Sequence, residues 1–113
     1  MSDRLPSGTL IGALLRQIND AGGMAMVLAK GDPQAGAILV ITCHKGKKFK
    51  VLERAIGPSG LVELMAVSGP AGDDPGPITD YWQRRRARDP DLWVVELDIA
   101  DAERFAAETI ALA

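Results

Sequence analysis

Between residues 24 and 67 the chain carries four short strand-like segments with only turns between them. Nothing in that interval leaves room for a packed helix, so neighbouring strands are expected to pair antiparallel. Residues 24–30 are apolar on both parities until Lys30, and residues 37–43 form a second continuous apolar run rich in β-branched side chains. Runs of this kind suit strands covered on both faces. The segment between them, Gly31-Asp32-Pro33-Gln34-Ala35-Gly36, is turn chemistry. Pro33 fixes φ, Asp32 can bond its own backbone, Gly36 can take φ > 0, and the glycines answer the backbone need of a hairpin. The two runs and their connection read as a hairpin at the centre of a sheet. Lys45-Gly46-Lys47 reads as a second tight turn. Residues 48–54 then partly alternate, with Phe49 and Val51 on one parity and Lys48 and Lys50 on the other, which fits a strand with one wet face or a lysine-guarded edge. Pro58, Ser59 and Gly60 break the chain before a fourth run over residues 61–67, where Glu63 is the only charge.

Helical patterns flank these strands. Leu10, Ala13, Leu14 and Ile18 recur at helical spacing, with Pro6 and Ser7 suited to the start and Gly22 and Gly23 to the stop. Residues 69–77, rich in Gly and Pro, read as a mobile loop. Thr79 then offers an N-cap for a helix that runs to about Arg88 and that Pro90 ends. Residues 92–97 read as a fifth strand, and residues 101–113 as an alanine-rich helix anchored by Phe105 and Ile110. The expected fold is α+β, a mainly antiparallel sheet of about five strands covered by three helices, with residues 1–113 as a single globular domain.

Composition narrows the class. Apolar residues make up 47% of the chain and charged residues 25%, which excludes general disorder. Cys43 is alone and cannot form an internal disulfide, and no apolar run approaches the ~20 residues of a membrane-spanning helix. A cytoplasmic protein with no membrane partner is expected. The net charge of −2 hides segregation. Residues 44–54 hold five Lys or Arg against Glu53, residues 84–88 hold four arginines and no acid, and residues 89–113 hold seven acids against Arg104.

Two stretches carry a resemblance. One is Ala13-Leu14-Leu15-Arg16 with Ala21-Gly22-Gly23 and Lys30-Gly31-Asp32-Pro33-Gln34-Ala35-Gly36-Ala37. The other is Arg84-Arg85-Arg86 with Asp89-Pro90-Asp91-Leu92-Trp93-Val94-Val95-Glu96. Together, over roughly residues 10–98, they resemble the alphaproteobacterial family catalogued as domain of unknown function 1491. The resemblance implies a compact single domain of bacterial cytosolic origin and carries no activity or catalytic residue.

The residues themselves offer three chemistries. The first is a basic helix. Arg84 and Arg88 share a face with Arg85 beside them, and Tyr81 and Trp82 lie one turn earlier. Guanidinium forks match phosphate or carboxylate, and the aromatics could stack on a base, so this is a nucleic-acid or anion site that Lys45, Lys47, Lys48 and Lys50 could widen. The plainer reading is that the arginines complement the helix's negative end, Asp89 and Asp91 pair with them, and the aromatics pack on the sheet. The acidic pI of 5.3 favours the plainer one. The second chemistry is a divalent-metal, nuclease-like site from Asp91, Glu96 and Asp98, with Glu96 and Asp98 projecting from one side of the fifth strand. Against it, Asp98 stands where the nuclease pattern wants lysine. The third, Cys43 with His44, fails on geometry, because neighbours on a strand point to opposite faces. Residues 69–76 match no phosphate loop. Met24, Met26 and Met65 lie within apolar runs and are expected in the core.

No nucleophile–base pair, ligand cluster or cofactor fingerprint emerges, so no catalytic residue, metal or cofactor is expected. The leading expectation is a non-catalytic binding or interaction module whose partner is another protein, a second copy of itself included. Nucleic-acid binding through Tyr81, Trp82, Arg84, Arg85 and Arg88 is the first alternative, and a metal-dependent enzyme the second.

Overall fold

The computed structural model describes residues 5–111 other than 57, 68 and 70. Helix α1 spans Ser7–Asp20 and is followed by β1 (Met24–Ala29), β2 (Ile38–His44), β3 (Lys47–Ile56), β4 (Val62–Ala66), α2 (Pro75–Arg88), β5 (Trp93–Asp98) and α3 (Ala102–Ala106), which runs on as a π-helical turn over Ala107–Ala111. The α+β class holds. The five strands form one sheet in the order β1-β5-β2-β3-β4, antiparallel at every pairing except the parallel β2–β5 pair.

That order corrects the central hairpin. β1 and β2 run antiparallel to each other but never pair, because β5 lies between them. β2 and β5 are the runs richest in β-branched side chains, and both are buried on both faces along most of their length. They take the two central places that the sequence assigns to β1 and β2, and β1, with Met and Ala where they have Val and Ile, is left at the edge.

The connection from β1 to β2 therefore passes over the incoming end of β5, and its chemistry follows from that crossing. Asp32 N–H donates to the Asp91 carbonyl at 3.0 Å, Trp93 N–H to the Ala37 carbonyl at 2.8 Å and the Trp93 indole to the Asp32 carbonyl at 2.7 Å. Arg86 of α2 donates to the carbonyls of Lys30 and Leu92. A side chain at Gly31 or Gly36 would run into the Asp91 carbonyl. These glycines answer a close backbone approach, and neither has a positive φ. The start of α1 rests on the same crossing, with Ser7 Oγ donating to the Gly36 carbonyl at 2.7 Å and Gly8 N–H to the Pro33 carbonyl at 2.9 Å.

Helices cover both faces. Leu10, Leu14 and Ile18 of α1, with Ala106 and Ile110, pack on Ile38, Val40, Leu52, Trp93, Val95 and Leu97. On the other face Ile78, Tyr81 and Trp82 of α2 pack on Leu39, Ile41, Val51, Leu92 and Val94. The fifth strand thus has the expected apolar parity of Trp93, Val95 and Leu97.

Two boundaries shift. Helix α2 starts at Pro75 and not after Thr79, with Asp74 as N-cap accepting from Gly76 N–H at 2.9 Å. Pro-Gly-Pro looks like a loop, but the first turn of a helix has no use for the missing N–H groups. The segment before it is anchored: Gly72 exchanges backbone hydrogen bonds with Phe49, and Lys48 N–H donates to Asp73 at 2.9 Å. The Lys45-Gly46 turn is as expected. Both residues take positive φ, 54° and 73°, the signature of a two-residue hairpin turn.

Candidate functional site

The arginines on α2 have separate employments. Arg85 donates to both carboxylate oxygens of Glu53, at 2.7 and 3.2 Å, and to the Tyr81 hydroxyl at 3.2 Å. Its pKa is driven further up, first by the Glu53 hydrogen bonds. Arg86 belongs to the β5 crossing. Arg84 and Arg88 are exposed and make no ion pair among the described residues. The partner of the cluster is Glu53 from β3, and not Asp89 or Asp91; Asp89 instead accepts from Asp91 N–H at 3.2 Å. Tyr81 and Trp82 are half-buried on the sheet. Lys50 faces away from α2 and pairs with Glu103 of α3 at 3.0 Å.

The acids of β5 divide in the same way. Asp91 sits at the start of the strand and Glu96 and Asp98 at its end, about 16 Å or more along the chain. Among the described residues no three His, Cys, Asp or Glu side chains gather to hold a metal. Asp98 is committed to the β2–β3 turn, accepting from Lys45 N–H at 2.6 Å and Gly46 N–H at 3.1 Å, which holds Lys45 in its left-handed conformation. Cys43 is buried and its thiol is pushed up to about 12, by burial first and then by the charges of Asp98 and Glu96, so it stays protonated at neutral pH. His44 is exposed.

What these elements bring together is a surface that sequence reasoning missed. In register, Met24 stands opposite Asp98 and Met26 opposite Glu96. All four side chains share the face that carries α2, and α2 lies over β3, leaving this corner open. Met24 is 69% exposed and Met26 53%, so the expected core placement of both is overturned, as it is for Met65 at the other edge of the sheet. The only signal available was parity, since Met24 and Met26 alternate with Ala25 and Val27, which do pack on the core. Met24, Met26, Glu96 and Asp98 line a small depression of about 70 Å³. It shares Met24 and Asp98 with a wider one of about 400 Å³, bounded by Gly23, His44 and Lys45.

Glu96 is half-buried with no ion pair among the described residues, and burial, then the charge of Asp98, pushes its carboxyl above the usual range. A carboxyl whose folded pKa exceeds its unfolded value loses stability as pH rises between the two values, and that loss persists above them. Glu96→Gln is therefore expected to raise the melting temperature at neutral pH. The gain disappears below the ordinary carboxylate range, where wild type is also uncharged. Thermal scans of both proteins across acid and neutral pH check this.

The described surface thus contains a free strand edge, an apolar corner and two carboxylates. A family model described as a protein of unknown function (DUF1491) matches residues 5–107. The chain belongs to the DUF1491 family. A crystal structure of a DUF1491 family protein from Caulobacter crescentus CB15 is similar, with 29% identity, a TM-score of 0.79, and coverage of 90% of this chain and 94% of that one. An NMR structure of a DUF1491 family protein from the same organism matches at 29% identity and TM-score 0.75, covering 89% and 91%. The solution structure of protein Atu0922 from A. tumefaciens matches at 29% identity and TM-score 0.67, covering 85% and 86%. No curated protein matches the chain. The two stretches that carry the DUF1491 resemblance meet in space, at the crossing of Gly31, Asp32 and Gly36 over Asp91, Leu92 and Trp93. Asp32 N–H to the Asp91 carbonyl, the Trp93 indole to the Asp32 carbonyl and Trp93 N–H to the Ala37 carbonyl tie the two stretches together there, which makes this part of the recognisable sequence a joint of the fold.

Proposed function

We propose that this DUF1491 protein is a small non-catalytic interaction module of the bacterial cytosol that takes an extended segment of a partner protein on the free edge of β1. The observation that carries this reading is the composition of that edge. β1 is a six-residue edge strand with no charge and no proline, and its Met24 and Met26 are exposed. Edge strands are ordinarily blunted by lysine, proline or a cover, because their unpaired N–H and C=O groups recruit other strands. The opposite edge, β4, carries Glu63. An added strand gains main-chain hydrogen bonds along β1, and its alternate apolar side chains lie against Met24 and Met26. Bacterial relatives, a lone buried cysteine and the lack of any described helix long and apolar enough to cross a membrane are consistent with the setting. The competing nucleic-acid reading is left with Arg84 and Arg88, because Arg85 is engaged by Glu53.

Panning a random peptide library against the full chain, immobilised sparsely so that copies cannot meet, tests this. Peptides of alternating apolar pattern are expected, with binding lost in Met26→Lys and kept in an Arg84→Ala/Arg88→Ala double variant. Peptides indifferent to Met26→Lys would overturn the reading.

A further inference from the structure

We infer that the strand seated on β1 is β1 of a second copy, paired antiparallel about a two-fold axis through Met26; this rests on the strand-addition reading above. In an antiparallel pair, residues directly opposite share a face, so a self-pairing strand must centre on a residue and not between two. Centring on Met26 sets Met26 against Met26, Met24 against Leu28 and Ala25 against Val27. On the open face this joins the large side chains of both copies into one apolar stripe. On the face under α1 it sets a small side chain against a medium one, where Ala25 and Val27 already pack on the core. The strand irregularity between Val27 and Ala29 takes in Leu28, at the two ends of the pairing, and leaves Met24 to Val27 of each copy in regular register with β5, so the regular centre of the contact is Ala25 to Val27.

Charge favours the same occupant. β1 brings no charge of its own to the contact. The nearest carboxylates, Glu96 and Asp98, lie one strand inside each copy, so Glu96 and its image are three strand spacings apart, about 14 Å. Nothing like-charged meets, and the isologous geometry closes on itself as a dimer without propagating. The product is a continuous sheet whose exposed edges are the two copies of β4, so the edge strand without a charge or a proline is the one that is covered.

Sedimentation of the full chain from micromolar to near-millimolar concentration, together with crosslinking, tests the proposal. Wild type is expected to sediment as a dimer at the upper end, and Met26→Lys as a monomer with an unchanged far-UV spectrum. Met26→Cys is expected to form an intermolecular disulfide on mild oxidation, since opposed Cα atoms in such a pair lie about 4.5–5.5 Å apart, within disulfide range. Met65→Cys on β4 is expected not to. A monomer at every concentration would overturn the second-copy proposal while leaving strand addition standing if the panned peptides still require Met26. A dimer that survives Met26→Lys, or one that Met65→Cys traps and Met26→Cys does not, would overturn it too. Failure of both the dimer and the peptides removes the underlying reading.

Discussion

Gly31→Ala is expected to destabilise the protein by about 3 kcal/mol or more, and Gly36→Ala by a similar amount, because each methyl group would run into the Asp91 carbonyl. Neither backbone can yield locally. Asp32 N–H bonds that same carbonyl, and the Gly36 carbonyl receives Ser7 Oγ, so a shift at either glycine disturbs β5, the β1–β2 connection and the start of α1 together. For a chain of this size the loss corresponds to roughly ten degrees or more in melting temperature. Gly12→Ala is the control. Its added methyl meets nothing closer than the Arg16 guanidinium at 3.5 Å, and a glycine inside a helix costs up to ~1 kcal/mol relative to alanine. Gly12→Ala is therefore expected to stabilise. Urea unfolding of the three variants, read by circular dichroism, gives both signs in one experiment. A loss below about 1 kcal/mol at Gly31 would mean that the crossing has more room than the structure assigns it.

Trp93→Ala is expected to cost about 3–5 kcal/mol, the range for removing a large buried aromatic side chain. Trp93 is 4% exposed, packs in the core beneath α1, and closes the crossing through its indole N–H to Asp32. Trp93→Phe separates the two contributions. It keeps most of the ring and loses the indole hydrogen bond, leaving the Asp32 carbonyl with Gly36 N–H at 3.2 Å as its remaining donor, and should cost about 1–2 kcal/mol. Equal losses for Ala and Phe would place the whole effect in the hydrogen bond.

The periodicity of residues 7–21, the tight turn at Lys45-Gly46 and the apolar parity of β5 are local properties, and the sequence reading of each agrees with the structure. The position of β1 is not local. A short apolar run of Met and Ala satisfies the pattern of a central strand and of an edge strand equally. Its place was decided by competition with β5, which lies some seventy residues further along the chain. The exposed Met24 and Met26 followed from that one misplacement. Arg85 illustrates a second limit. Its nearest acids in sequence are Asp89 and Asp91, but its partner, Glu53, arrives from another strand. The glycines of the β1–β2 connection were recognisable as a backbone requirement, while the object they make room for, the Asp91 carbonyl, could only be seen once β5 was in place.

The order of strands also bears on the timing of assembly. β1 is made before the strand it pairs with, Met24 facing Asp98 some seventy residues further along the chain. At ordinary translation rates of about 5–20 residues per second, that separation leaves β1 unpaired for roughly 4–15 seconds. During that interval β2 lies nearby, in the right direction, across a short connection, and is free on the side that β5 will occupy. The local hairpin suggested by the sequence is then a competitor of the native sheet, and β5 completes the fold by entering between β1, which has no other partner strand, and β2, which already has β3 on its other side.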